Sequence, residues 1–395
     1  MVISVGYILY ILITILSVWL ARHVAGLRGC RGVVSPDGRN VVRRSGSRQE
    51  KIDQICVMTL FILLVGASAL RIYTGNDYQT YISHFHDIYR GNYVVTERGF
   101  NLVVTAVYGF FQKECYLVIF ALFAFLTVGV FLKALYDQSV DFPTSFFLFM
   151  MLGTYFQTYN TVRYYFALAI VLYSMRYVLK KQYIRFLIMI LIASLFHKTA
   201  LIVIPLYLLA AVRWKWQHLL IAGILAVSGL FFQEQYMALF IKLYPSYVNE
   251  EEYLASGGFS IINVFRCAAV LLFSLYALKG DREWYADREM RFYFQLNLGA
   301  LALYLCFSFV PFLSRIGYYL NISHLFFLPV LLRTVPEKGP LKMGGKMRNI
   351  SKKKICRYLV LSAGVIYFLM FLYKSTAVNV RILPYHSWLW TDIAE

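Results

Sequence analysis

Stretches of about 20 predominantly apolar residues recur along this chain, and that recurrence constrains its fold more than any other feature. A helix that crosses a bilayer needs that length, because every backbone N–H and C=O must be bonded within the segment once water is excluded. Residues 4–22, 53–72, 114–136, 160–179, 217–234, 259–279, 290–310, 315–333 and 356–374 meet the requirement. Shorter apolar runs at 142–158, 184–196 and 199–212 add to them, the last two as a tight pair. The expected fold is an all-α integral membrane protein with about twelve transmembrane helices. Amphipathic stretches at 98–112 and 236–249 read as interfacial helices. Composition agrees: of 395 residues, 60% are hydrophobic and 15% charged. Soluble domains run at roughly 45–50% and about 25%, so an ordinary soluble protein or a disordered chain is excluded. Aromatic residues make up 18%, more than interfacial belts need, which suggests a cavity lined by rings. The scattered cysteines form no CxxC pair, so neither a zinc site nor a disulfide framework is expected. The N-terminal apolar stretch lacks a basic n-region and reads as a retained span.

Lys and Arg number 39 against 20 Asp and Glu, a net charge of +19. In a membrane protein such a surplus belongs in cytoplasmic loops, so nucleic-acid binding is not inferred. Residues 22–51 carry Arg22, Arg28, Arg31, Arg39, Arg43, Arg44, Arg48 and Lys51, and 338–357 are equally basic. The expected organisation is one polytopic domain over 1–395. It has basic cytoplasmic loops at 23–51 and 334–357, and extracytoplasmic loops at 73–112 and 235–258. Twelve spans place both termini and Glu250-Glu251-Glu252 outside.

Positive charge on the outer face then needs a reason. Asn160 is a plausible N-cap for the span after it, with Arg163 in the first turn. A helix N-terminus already carries partial positive charge, so a cation there makes sense when an anion binds too. Ser314-Arg315 at the start of 315–333 repeats the arrangement, and Lys198 beside His197 repeats it more loosely. Together these three could hold a diphosphate near the outer leaflet; Arg266, two turns into 259–279, lies too deep to snorkel easily, which favours a functional role. Snorkelling to headgroups is the other reading of Arg163 and Arg315. From Tyr78 the apolar positions Tyr78, Tyr81, Ile82, Phe85, Ile88 and Tyr89 fall at helical spacing, an amphipathic helix on the outer surface. Asp77 reads as its N-cap or as a general base; Glu97 as a local pair with Arg98 or as that base. Tyr78 and Tyr81 could stack on sugar faces, with Asn160 and Tyr164 as further glycan-contact candidates, or belong to the ordinary aromatic belt. His84-Phe85-His86-Asp87 invites a metal reading, but residues two apart on a helix point about 200° from one another, so no metal site and no cofactor is expected.

These motifs, in this order, resemble the EpsG family of bacterial membrane proteins. The residues that carry the resemblance are Gly75-Asn76-Asp77-Tyr78, Glu97-Arg98-Gly99-Phe100, Asn160-Thr161-Val162-Arg163, Phe196-His197-Lys198-Thr199, Ser314-Arg315-Ile316-Gly317 and Leu383-Pro384-Tyr385. The family pattern often has Gln where Tyr164 stands here. The resemblance implies a Wzy-like polymerase of exopolysaccharide or capsule with a GT-C-like polytopic glycosyltransferase fold. It would join oligosaccharide repeat units carried on a polyprenyl (undecaprenyl) diphosphate at the outer face of the bacterial cytoplasmic membrane. The implied partners are the lipid-linked donor and acceptor and the bilayer; a chain-length regulator and other polysaccharide-synthesis proteins are left open. On this reading Asp77 or Glu97 is the base, Arg163, Arg315, Lys198 and Arg266 hold the diphosphate, and His197 assists. Direct displacement would invert the anomeric centre. Two other readings stay open: a flippase for lipid-linked glycans, which internal repeats would favour, and a multi-spanning acyltransferase, for which His197 or His324 would be the reactive group.

Overall fold

A computed structural model describes residues 2–30, 47–243, 260–279, 283–310, 313–335, 339–343, 346–376 and 381–389. The middle of the first basic loop, Glu250-Glu251-Glu252 and Lys338 lie outside the described residues.

Helices dominate, and most of the expected apolar runs lie in helices, though several runs are broken. Among the described residues Arg48–Ala69, Tyr116–Gln138, Val162–Leu179 and Lys352–Lys374 are long and apolar enough to cross a membrane. Trp216–Phe231 and Gln233–Leu239 add a fifth if taken together, but they meet at 98°, so the run 217–234 does not continue as one straight helix. Gly6–Ala21, Phe142–Met151, Tyr183–Ser194, Lys198–Ala211 and Ile261–Ala277 are shorter apolar helices. The expected amphipathic helices form over Tyr78–Tyr89 and Arg98–Phe111, and the described part of 236–249 lies in Gln233–Leu243, with 244–249 outside the described residues.

The expected span 315–333 is instead two helices, Leu313–Asn321 and His324–Thr334. At the junction Ser323 N–H bonds Leu320 O and Leu325 N–H bonds Ile322 O, so turns of three residues replace the α-helical ladder. The Asn321 amide meanwhile donates to the Tyr304 hydroxyl at 3.0 Å. A single apolar run therefore hides a break that composition does not mark.

Two compact units make up the fold: one from residues 1–174, 187–200 and 336–395, the other from 175–186 and 201–335. In the first, the rings suggested as a cavity lining are packed as a core. Phe85, Phe100, Phe120 and Phe123 are all buried, and their centroids lie 5.3–5.8 Å apart in stacked, tilted and edge-to-face pairs. The two ends of this unit's chain are tied together. Arg71–Ile72 pairs antiparallel with His386–Ser387. The Tyr10 hydroxyl donates to Ile382 O at 2.6 Å and the Tyr385 hydroxyl to Ala67 O at 2.9 Å. Buried Asp53 accepts the N–H groups of Ala25 and Gly26 and the Gln49 amide, which fixes the turn after the first helix. In the second unit, Tyr207 donates to Tyr319 O at 2.6 Å, and His324 Nε2 lies 2.7 Å from the Asn297 side chain, whose amide donates to Cys267 O.

Candidate functional site

Four of the sequence motifs meet in the first unit, and two glycines let them approach. Gly75 has a φ of +108°, and a Cβ there would lie 2.4 Å from the Tyr159 carbonyl oxygen. That contact excludes any side chain and seats the 75–77 turn against residues 159–161. Gly99 does the same on the other side: its N–H donates to Leu195 O at 2.9 Å, and a Cβ would lie 2.7 Å from that oxygen. The Glu97 turn is thereby seated beside residues 195–198.

The polar side chains then pair across these contacts. Asn160 Oδ1 accepts the Asn76 N–H at 2.9 Å. The helix after it starts at Val162, so Asn160 serves the neighbouring turn rather than capping this helix. Asp77 stands at the N-cap position of Tyr78–Tyr89, yet its carboxylate makes no cap bond. Its Oδ2 accepts the Thr161 hydroxyl at 2.8 Å, and its Oδ1 has no hydrogen-bond partner among the described residues. Glu97 likewise stands at an N-cap position without capping. It pairs not with Arg98 but with Arg163, whose Nη1 donates to Oε2. Its Oε1 accepts the Lys198 N–H at 3.2 Å, with His197 Nδ1 at 3.8 Å.

Both partners of this ion pair are largely buried, at 12% and 21% side-chain exposure for Glu97 and Arg163. Exposed pairs contribute little, whereas a partly desolvated, hydrogen-bonded one holds its geometry. The Arg163 guanidinium also lies over the rings of Phe100 and Tyr81, 5.3 and 5.8 Å from their centroids. The Arg163 N–H donates to the Tyr81 hydroxyl oxygen at 3.3 Å. Among the described residues the buried Arg163 Nε has no hydrogen-bond partner. Burial raises the Tyr81 hydroxyl pKa above its ordinary value, which keeps it protonated. His197 is buried, with Nδ1 3.1 Å from the Thr199 hydroxyl and its ring edge-on to Tyr164 at 5.2 Å. Lys198 opens the 3-10 turn Lys198–Ile202 that runs into Val203–Ala211, and its backbone N–H serves Glu97.

A family model described as the EpsG family matches residues 54–387. The chain belongs to the EpsG family. EpsG is a Wzy-like polymerase family, and membership together with the apolar helices makes this chain an exopolysaccharide-related, glycosyltransferase-like membrane polymerase. Comparison with curated proteins and with solved structures gives no match.

The matched segment of this EpsG chain contains every motif residue named above, and those on the second unit have their own surroundings. Arg266 is buried within Ile261–Ala277, where Nη2 donates to Asn263 Oδ1 at 2.9 Å and the guanidinium lies 5.5 Å from the Tyr318 ring centroid. Arg315 is half-buried in the nine-residue helix Leu313–Asn321 rather than at the head of a span. The expected sugar-stacking role of Tyr78 and Tyr81 is not open. Tyr78 stacks on Phe120 at 4.7 Å and 7°, and Tyr81 on Phe85 at 6.0 Å, so their faces are taken; Tyr164 is buried as well.

Sequence reasoning missed two residues here. His84 enters the sequence reading only for metal, yet burial and then the Arg163 charge lower its pKa, and its buried Nδ1 has no hydrogen-bond partner among the described residues. Its position one turn after Tyr81 was the available signal. Arg71 falls near the end of the expected span 53–72. It is 2% exposed, donates to Ser68, and lies 5.0 Å from the Tyr159 ring centroid and 5.4 Å from that of Phe120. No local pattern separates such a residue from a snorkelling arginine.

Proposed function

We propose that this chain polymerises oligosaccharide repeat units carried on a polyprenyl diphosphate, at the outer face of the cytoplasmic membrane. The observation that carries the reading is the gathering of Asp77, Glu97, Arg163 and His197 from four separate segments of one unit. In this reading Asp77 is the base. Thr161 holds one oxygen and leaves the other open to accept the proton of an acceptor hydroxyl. The acceptor oxygen then attacks the anomeric carbon of the donor. The bond from that carbon to the diphosphate breaks, its electron pair leaves with the lipid diphosphate, and the centre inverts.

Glu97 takes a different role. Both its oxygens are engaged, by Arg163 and by the Lys198 N–H, so it positions the cation instead of accepting the substrate's proton. Arg163 would bring its guanidinium charge to the diphosphate as negative charge develops on the departing oxygen. His197 braces this arrangement from the side of Glu97.

The test is polymerisation by the purified protein in lipid nanodiscs, fed a polyprenyl-diphosphate repeat unit from the source's own pathway. A ladder of products that is lost in Asp77→Asn and reduced about 10²–10³-fold in Arg163→Ala supports the assignment. Full polymer output from both variants at normal protein levels overturns it. No ladder, with protein-dependent movement of the lipid-linked unit across sealed vesicles, replaces the polymerase with a flippase.

A further inference from the structure

A groove of about 410 Å³ opens in the first unit between Gly6–Ala21, Phe142–Met151 and Lys352–Lys374, away from the residues discussed above. Its lining is ordered along the helices. Arg22, just past the end of the first helix, and Arg357, in the second turn of the last, stand at one end with Pro143. Val18 and Phe147 lie one turn further in, and Leu361 and Val365 one and two turns beyond Arg357. At 1.5 Å of rise per residue, the step from Arg357 to Val365 is about 12 Å along the helix. The groove therefore has cations at its mouth and a mainly apolar floor, with the hydroxyls of Thr144 and Ser362 among it, running about two turns towards the middle of the helix.

Two guanidinium groups facing one groove repel each other unless an anion lies between them. Neither Arg22 nor Arg357 has a side-chain hydrogen bond or ion pair among the described residues. The acid nearest in sequence to the lining is already engaged: Asp141 accepts the N–H and the hydroxyl of Thr144 as the cap of its own helix. Arg22 and Arg357 also belong to the two most basic segments of the sequence, 22–51 and 338–357. Positive segments of this kind favour the side of the membrane that carries anionic lipid, and basic pockets between helices there bind lipid phosphates.

We propose that this groove is a binding site for an anionic two-chain phospholipid, with the headgroup phosphate between Arg22 and Arg357 and one acyl chain along Val18, Phe147, Leu361 and Val365. A small anion would use the arginines but not the floor, and a neutral lipid the floor but not the arginines. Only an amphipathic anion matches the order of both.

The experiment compares the delipidated protein in neutral detergent with added phosphatidylglycerol or phosphatidylcholine, read by native mass spectrometry and by thermal midpoint. The expected result is a retained phosphatidylglycerol adduct and a higher midpoint, neither given by phosphatidylcholine. The double variant Arg22→Gln/Arg357→Gln should bind about 25-fold more weakly, about fivefold for each cation. Lys353→Gln/Lys354→Gln, which removes equal charge outside the groove, should cost less than fivefold. Equal loss in both double variants, or in neither, overturns the site. Glycerol phosphate raising the midpoint as much as phosphatidylglycerol removes the acyl chain from the proposal. Undecaprenyl phosphate displacing phosphatidylglycerol at equal concentration, or a dimer mass lost on Val365→Trp, would show a different occupant.

Discussion

Gly75→Ala tests whether the close approach of the 75–77 turn to residues 159–161 builds the site. The alanine has two costs. A φ of +108° is poor for any L side chain, and such strain is worth about 1–3 kcal/mol. The Cβ would also stand 2.4 Å from Tyr159 O, a backbone atom that cannot swing away. The turn must then shift, which disturbs the Gly75 N–H bond to Arg381 O (2.8 Å), the Asn76 N–H bond to Asn160 (2.9 Å) and the Thr161 bond to Asp77 (2.8 Å). At about 1 kcal/mol each these add about 3 kcal/mol. Gly91→Ala is the matched control: its φ is +76°, and a Cβ there meets nothing within 4 Å. The expected outcome is that Gly75→Ala loses about 3 kcal/mol more stability than Gly91→Ala in reversible detergent unfolding. It should also lose polymer output while Gly91→Ala keeps it. Equal stability and equal output in the two variants would falsify the claim that this contact positions Asp77.

The other predictions concern the charges. Asp77→Asn should abolish product formation with little change in stability, whereas Glu97→Gln should lower both, because it leaves Arg163 buried without its carboxylate; a nanodisc assay beside unfolding curves separates them. In a double-mutant cycle, Glu97→Gln and Arg163→Gln should couple by about 1–2 kcal/mol, and additivity would mean that the pair does not act as a unit. His84 should make the fold acid-sensitive. Its folded pKa is lowered from 6.5, so the unfolded state takes up the proton first, and stability that is full above 6.5 is lost as pH falls below it. His84→Leu should flatten that acid limb in a pH series of unfolding midpoints; an unchanged limb would assign it to another group.

Much of the helical layout was legible because it is local. A run such as 114–136 must bury its backbone polar groups in helix whatever its neighbours do, and the helix Tyr116–Gln138 lies there. The amphipathic spacing from Tyr78 gave the Tyr78–Tyr89 helix for the same reason, and Tyr78, Tyr81 and Phe85 are its buried face. The break at Ile322-Ser323 and the 98° bend after Phe231 escaped, because an apolar run looks the same whether its hydrogen bonds continue or turn. The aromatic surplus was read as a cavity, but composition counts rings and says nothing of whether they face space or each other.

The sequence by itself determined that this chain is helical, apolar and basic, and it singled out the motifs on which the site is built. What those motifs do to one another was decided only in three dimensions. Glu97 stands next to Arg98 in the chain, yet its partner is Arg163, 66 residues away, and Asp77 reaches Thr161 across 84 residues. Contacts at that separation depend on which backbones can touch, here at Gly75 on Tyr159 and Gly99 on Leu195. Electrostatic attraction is nearly indifferent to sequence distance once burial has removed the competing water, so the pair that forms is the one that packing brings together in a dry place.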